Sequence, residues 1–340
     1  GAITVSNAID INGSGSEVAA AVGHLDTLSG TPTANITGTD YTVAQLKTIN
    51  DAIGGALVLD NSGVNLSGTV AQFKAAFNET VTTHTGTITI SDAGTTDITA
   101  TDITAINTAS TGAITVSNAI DINGTGSQVK AAFDAIDTNT GNATANITGN
   151  TYTLDQLKAI NNKTTGAIVL VDPSATLSGD SADIAAALAG TITTHTGSVG
   201  ITNSDYTLAE LVAINNASTG TITLTTTNTS LSGSGADLAA ALTGTINYTG
   251  NVTVSDNSYT VAQLKTINNG TTGTITLTNA AVNLSGDAAD IVAAFNGTVT
   301  THTGDVTITD ANTVDVNASD ISTINTASTG SITVSNNIDI

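Results

Sequence analysis

Along the chain, short runs with a two-residue apolar period alternate with short runs whose apolar residues recur every three or four positions. Ile3-Thr4-Val5, Ile114-Thr115-Val116, Ile222-Thr223-Leu224 and Ile275-Thr276-Leu277 alternate apolar with hydroxyl residues, the pattern of a half-buried strand. Val43/Leu46/Ile49, Leu154/Leu157/Ile160, Leu208/Leu211/Ile214 and Val261/Leu264/Ile267 each place three apolar residues on one face of a helix. The two patterns follow one another in the same order throughout.

Each predicted helix opens with a residue able to cap it. The caps are Ser14, Thr42, Thr69, Thr99, Thr125, Thr153, Asp180, Thr207, Ser234, Thr260, Asp287 and Asn317, spaced 26 to 30 residues apart. Three positions on stand Glu17, Gln45, Gln72, Asp102, Gln128, Gln156, Asp183, Glu210, Asp237, Gln263, Asp290 and Asp320. A cap followed at that spacing by an acid or amide is read as a capping box. A box held in phase this long means a repeat of about 27 residues, and periods of this order mean solenoids or arrays.

Two kinds of coil alternate, giving double units of about 54 residues that open near residues 1, 55, 112, 166, 220, 273 and 330. The first coil turns at Gly13, Gly68, Gly124, Gly179, Gly233 or Gly286, where glycine implies a positive φ or close backbone approach. Its helix is alanine-rich, as in Ala239-Ala240-Ala241. This suits close helix packing, because stacked strands lie about 4.8 Å apart and helices 8–10 Å apart. The second coil carries an Asn in every copy: Asn50, Asn107, Asn161, Asn215, Asn268 and Asn325. That Asn is expected to end the helix in the left-handed region, or to bond between coils. The coils capped by Thr99 and Asn317 are three residues longer than the rest.

The fold expected is a mixed β/α repeat solenoid spanning 1–340 as one continuous body. It is a right-handed stack of about twelve strand–strand–helix coils with parallel strands. Gly330 to Asn336 repeats the phase of Gly1 to Asn7, so no capping repeat is evident and the chain reads as a piece of something longer.

Composition narrows what such a stack does. The net charge is −22 with only six Lys and Arg together, which argues against nucleic acid and anionic membranes as partners. Without Cys there is neither a disulfide nor thiol chemistry, and with 3% aromatics the core must be aliphatic. No apolar run approaches the roughly 18 residues that a membrane-spanning helix needs.

Three constellations invite a functional reading. Thr-His-Thr-Gly occurs around His84, His195 and His302, but aligned coils carry Leu28, Asn139 and Tyr248 there, so the position reads as a solvated turn rather than a metal ligand. The fourth histidine, His24, has no such motif. Asp92 and Asp97 in one long coil recur as Asp310 and Asp315 in the other, an oxygen cluster that would suit calcium. The competing reading makes them turn and box residues. Thr-x-Thr rows, such as Thr221/Thr223/Thr225, offer an outward hydroxyl face for carbohydrate or ice, although Ala56, Val58, Ala167 and Val169 interrupt it. No catalytic motif is present, and the reading is non-enzymatic, with no cofactor unless calcium is one.

Residues 258–269 (Ser-Tyr-Thr-Val-Ala-Gln-Leu-Lys-Thr-Ile-Asn-Asn) and 284–291 (Leu-Ser-Gly-Asp-Ala-Ala-Asp-Ile) resemble the repeats of very large bacterial, cyanobacteria-like cell-surface proteins. The resemblance implies an extracellular structural role: an acidic filament, layer or stalk built by end-to-end stacking, with surface polysaccharide as a partner. The alternative is an adhesive binding module using the Asp or Thr positions.

Overall fold

The computed structural model describes residues 1–78, 80–312 and 314–338. Asp339 and Ile340, the end of the segment that repeats the chain's opening, lie outside them. The chain divides into two compact units, Gly1–Asp172 with Gly190–Ile192, and Pro173–Ala189 with Thr193–Ile340. Each unit is a mixed β/α repeat solenoid.

Among the described residues of the first unit six helices follow in order: α1 (Gly15–Gly23), α2 (Val43–Ala52), α3 (Val70–Ala76), α4 (Ala100–Ala109), α5 (Gly126–Ala135) and α6 (Leu154–Asn161). The second unit has α7 (Ser181–Ala187), α8 (Leu208–Ala217), α9 (Gly235–Leu242), α10 (Val261–Gly270), α11 (Ala288–Phe295) and α12 (Ala318–Ala327). Within each unit every helix packs on the next. At seven to ten residues they are too short to stand alone, so packing rather than propensity holds them.

Among the described residues all strand pairing is parallel, and parallel strands need crossover connections, which the helices supply. The strands form small sheets rather than one long one. In the second unit, Leu231–Gly233 pairs with Val252–Val254, which pairs with Ile275–Leu277. A second coil's strand thus joins the second strand of the coil before it to the first strand of the coil after. The sheet then ends, and the next begins at Leu284–Gly286. Two sheets of the first unit reach four strands, because the long coil adds Asp97–Thr99 and coil five adds Thr138–Asn139.

The strand pattern decides burial: Ile222 and Leu224 face the core and Thr223 faces water. The helix pattern does likewise, for Leu46, Ile49, Leu264 and Ile267 are completely buried. The core is mainly aliphatic, although the few aromatics are drawn into it as well: Phe73, Phe133 and Tyr259 are fully buried.

Candidate functional site

All twelve predicted caps stand at helix N-caps. The reciprocal box closes only where the partner is Glu or Gln. At α2 the Gln45 amide N–H donates to Thr42 Oγ1 (3.3 Å) and the Thr42 amide donates to Gln45 Oε1 (2.8 Å). Asp237 manages half of this, its amide donating to Ser234 Oγ. Thr99, Asp180, Asp287 and Asn317, all with Asp as partner, make no side-chain cap bond. Aspartate is one methylene too short to reach back. Asp102 instead takes Lys74 of the preceding helix (2.7 Å), and Asp290 takes Lys265. Burial alone would raise the Asp102 pKa, but hydrogen bonds from Lys74 and Thr99 and the Lys74 charge outweigh it, leaving the carboxyl below its ordinary value.

The candidate calcium residues do separate things. Asp92 is buried, and its Oδ2 accepts the first helical N–H of α3, from Val70 (2.8 Å). Asp310 does the same for Ala288 of α11 (2.8 Å). Asn203 and Asp256 cap Ser181 and Gly235 in the same way (2.9 and 3.2 Å). This position therefore caps the helix of the previous coil, where a carboxylate gains from the positive helix end. Asp97 accepts from Asn123 Nδ2 (3.1 Å), and Asp315 is exposed. Asp92, Asp97, Asp102 and Asp51 line one cleft of about 580 Å³ that also contains Lys74. Among the described residues no group of three or more acidic or histidine side chains is placed to hold a metal.

The histidines depart from the sequence reading. His84, His195 and His302 are completely buried, not solvated. His84 Nε2 lies 2.7 Å from the Val64 carbonyl oxygen, which only accepts, so Nε2 carries the proton. Nδ1 then accepts from Ser110 Oγ of the next coil (3.1 Å). His302 repeats the arrangement with Val282 (2.7 Å) and Ser328 (3.2 Å). Each ring bridges the coil before to the coil after, and packs near Phe77 or Phe295. Burial pushes all three pKa values below 6.5, opposed by the backbone bonds to Val64, Ala175 and Val282. His24 is an exposed helix C-cap. The motif misleads because Thr flanks on both sides look like a wet strand, while the serine partner lies 26 residues away.

The repeated Asn is also corrected. Asn50, Asn215 and Asn268 lie within their helices, and none has a positive φ. Their Nδ2 groups donate to the last carbonyls of the next coil's helix. Asn50 reaches Ala75 O (2.9 Å) and Asn78 O (2.5 Å), Asn215 reaches Ala240 O (2.5 Å) and Thr243 O (3.1 Å), and Asn268 reaches Ala293 O (2.8 Å). The coil-to-coil bond was one of the two expectations; its acceptors are backbone carbonyls that a helix end leaves open. In the long coils Asn107 and Asn325 are exposed. Left-handed residues do follow other helices: Gly190, Gly244 and Gly297, just past α7, α9 and α11, have φ of +72°, +77° and +76°. Glycine shortly after a helix is their sequence signal.

The reason the repeat is double is a size match that sequence reading missed. Tyr41, Tyr152, Tyr206 and Tyr259 precede second-coil caps and are buried. Three of their hydroxyls donate one coil ahead: Tyr41 to Asn61 O (2.5 Å), Tyr206 to Thr226 O (2.8 Å) and Tyr259 to Asn279 O (2.6 Å). Tyr41, Tyr152 and Tyr259 stand against Gly15, Gly126 and Gly235, the first residues of first-coil helices. A Cβ on Gly15 or Gly235 would fall 2.5 or 2.8 Å from the tyrosine Cβ. Conversely, the corner glycines Gly68 and Gly233 face Val43 and Leu208, where a Cβ would meet side-chain carbons at 2.4 and 2.3 Å. No corner glycine has a positive φ, so close approach explains them. Where α3 and α11 start with Val70 and Ala288, the following long coils lack the tyrosine.

The Thr rows behave as expected. Thr221, Thr223, Thr225, Thr274, Thr276 and Thr278 are all exposed beside buried Ile and Leu. Among the described residues no helix is long and apolar enough to cross a membrane. No family model matches the chain, and no curated protein matches it significantly.

Proposed function

We propose that this chain is a non-enzymatic structural repeat protein of the bacterial cell surface, whose coils build a filament, layer or stalk by stacking end to end. The carrying observation is what its in-phase polar side chains do. Asn50, His84, Asp92 and Tyr41 each spend their hydrogen bonds on the backbone or a side chain of an adjacent coil. Their counterparts Asn268, His302, Asp310 and Tyr259 make the same bonds in the other unit. Polar groups that hold neighbouring coils together suit a structural array. The extracellular placement rests on the resemblance of the repeats. Surface polysaccharide is the partner such a placement supplies for the exposed hydroxyl rows.

The alternative, a calcium-dependent binding module, would have to draw on the cleft that Asp51, Asp92, Asp97 and Asp102 line, where Asp92 already holds the Val70 N–H and Asp102 holds Lys74. Electron microscopy of the purified protein with and without a chelator separates the two. Filaments in both conditions support the structural reading. Particles that fall apart only with chelator support the calcium one, and monodisperse single particles in both conditions refute the first.

A further inference from the structure

Four asparagines in this chain precede a glycine: Asn12, Asn123, Asn269 and Asn296. An asparagine so placed can cyclise onto the next amide nitrogen, because glycine puts no side chain in the way. The fold treats the four pairs differently. Asn12-Gly13 and Asn123-Gly124 lie in strands, in register with Asn35-Ile36 and Asn146-Ile147. In a strand the side chain stands out of the sheet, while the amide it would have to meet lies in the sheet's plane. Asn123 is also tied at both ends of its amide. Its Nδ2 donates to Asp97 Oδ1 (3.1 Å) and to the Asp121 carbonyl (3.0 Å), and its Oδ1 accepts from Asn146 (2.5 Å). Asn269 and Gly270 close α10, where the glycine amide belongs to the helical ladder. Gly270 is also pressed against the neighbouring helix, since a Cβ there would fall 2.6 Å from Leu242 Cβ.

Asn296 is in neither a strand nor a helix interior. It is the C-cap of α11, with extended backbone (φ −61°, ψ 151°), and Gly297 follows with φ of +76°. Both residues and Thr298 are exposed. The Gly297 amide donates to Asn296 Oδ1 (3.0 Å), so this nitrogen already lies against the side-chain carbonyl it would attack. Among the described residues neither that N–H nor Asn296 Nδ2 has another hydrogen-bond partner. Open clefts of about 390 and 310 Å³ meet at Gly297, one lined also by Phe295 and Thr300, the other by Asn268 and Thr298. Water therefore reaches this link.

We propose that Asn296 is a site of spontaneous self-modification, converting to isoaspartate through a succinimide closed by the Gly297 nitrogen. The Gly297 amide gives its proton to hydroxide and its nitrogen bonds to Asn296 Cγ. The Cγ–Nδ2 bond breaks and ammonia leaves. Water then opens the ring. Attack on the main-chain carbonyl leaves isoaspartate, and attack on Cγ leaves ordinary aspartate. Isoaspartate adds one carbon to the main chain and a free carboxylate at the C-terminal end of α11, where the helix dipole disfavours negative charge. It also lengthens the link to the next strand, which is set by Ile275 N–H on the Thr298 carbonyl (2.8 Å) and Thr300 N–H on the Ile275 carbonyl (2.9 Å). The modification thus loosens one joint between coils, whatever the array does.

The test ages the purified full chain for several days at pH 6 and pH 8, folded and in urea, and maps the four Asn-Gly peptides by mass spectrometry with isoaspartyl-specific methylation. In the folded chain Asn296 is expected to convert several-fold faster than Asn12, Asn123 and Asn269, and faster at pH 8 than at pH 6. In urea the four are expected to convert at similar rates, because the fold is what separates them. An Asn296 no faster than the other three in the folded chain overturns the proposal. The same ranking in urea as in the folded chain overturns its structural basis. Hydrogen exchange of the aged protein is expected to show lost protection at Ile275 and Thr300, absent from equally aged Asn296→Ser. Unchanged protection in chains that carry the isoaspartate overturns the loosened joint.

Discussion

The Cβ of Tyr152 lies where it would be only 2.7 Å from a Cβ on Gly126, the first residue of the helix one coil earlier. That contact is closer than two side chains tolerate, so the glycine is required by its neighbour and not by its own backbone. Gly126→Ala is expected to cost about 1–3 kcal/mol through overpacking. Gly23→Ala, with nothing within 4 Å of its Cβ, is expected to be neutral or to gain up to about 1 kcal/mol, since alanine suits a helix better. Denaturant titration of both variants checks the pair.

Capping predicts a second contrast. Thr260→Ala removes a cap whose box with Gln263 is closed and is expected to cost about 1 kcal/mol. Thr99→Ala removes a residue with no side-chain cap bond and is expected to cost clearly less. Hydrogen exchange in the first turns of α10 and α4 reads the two losses locally.

These two cases show what the sequence discloses. The caps were legible because a cap and its partner are three residues apart and recur in phase. Their failure at Asp partners turns on one methylene, which the pattern of residue types does not display. The Gly126–Tyr152 match was hidden because its two halves stand 26 residues apart and only the fold superposes them. Separations of 26 and 22 residues likewise conceal the His84–Ser110 bridge and the Asp92–Val70 cap. Asp92 and Asp97 look like one oxygen cluster in the chain, but they face different partners once the coils stack.

The buried asparagines predict a third contrast. Asn50→Ala leaves the Ala75 and Asn78 carbonyls without their donor and is expected to cost about 1–3 kcal/mol. Asn107→Ala, at the same phase but exposed, is expected to stay within about 0.5 kcal/mol. Thermal unfolding of the two variants side by side decides whether the amide ties coils together.

The histidines predict a pH dependence with a definite sign. Each has a folded-state pKa below its ordinary 6.5, so below that pH the unfolded chain binds protons that the folded chain does not. Their contribution is fully present above about pH 6.5 and is lost as pH falls from there toward the folded-state values. His84→Asn, which places at this position the residue type of the aligned Asn139, is expected to flatten the acid loss around Ser110. Hydrogen exchange of the Ser110 region at pH 8 and pH 5, in wild type and variant, measures the difference. An identical acid response in both would show that His84 is not the titrating group.

The proposed function requires the stack of mutually tied coils to continue from one copy to the next. Sedimentation velocity across a wide concentration range tests it most directly, with wild-type protein beside Val5→Lys. The account predicts a wild-type distribution that moves to progressively larger species as concentration rises, and a Val5→Lys chain that stays monomeric with its helices intact by circular dichroism. A wild-type chain that remains monomeric at the highest concentration, or a Val5→Lys chain that assembles equally well, would contradict it.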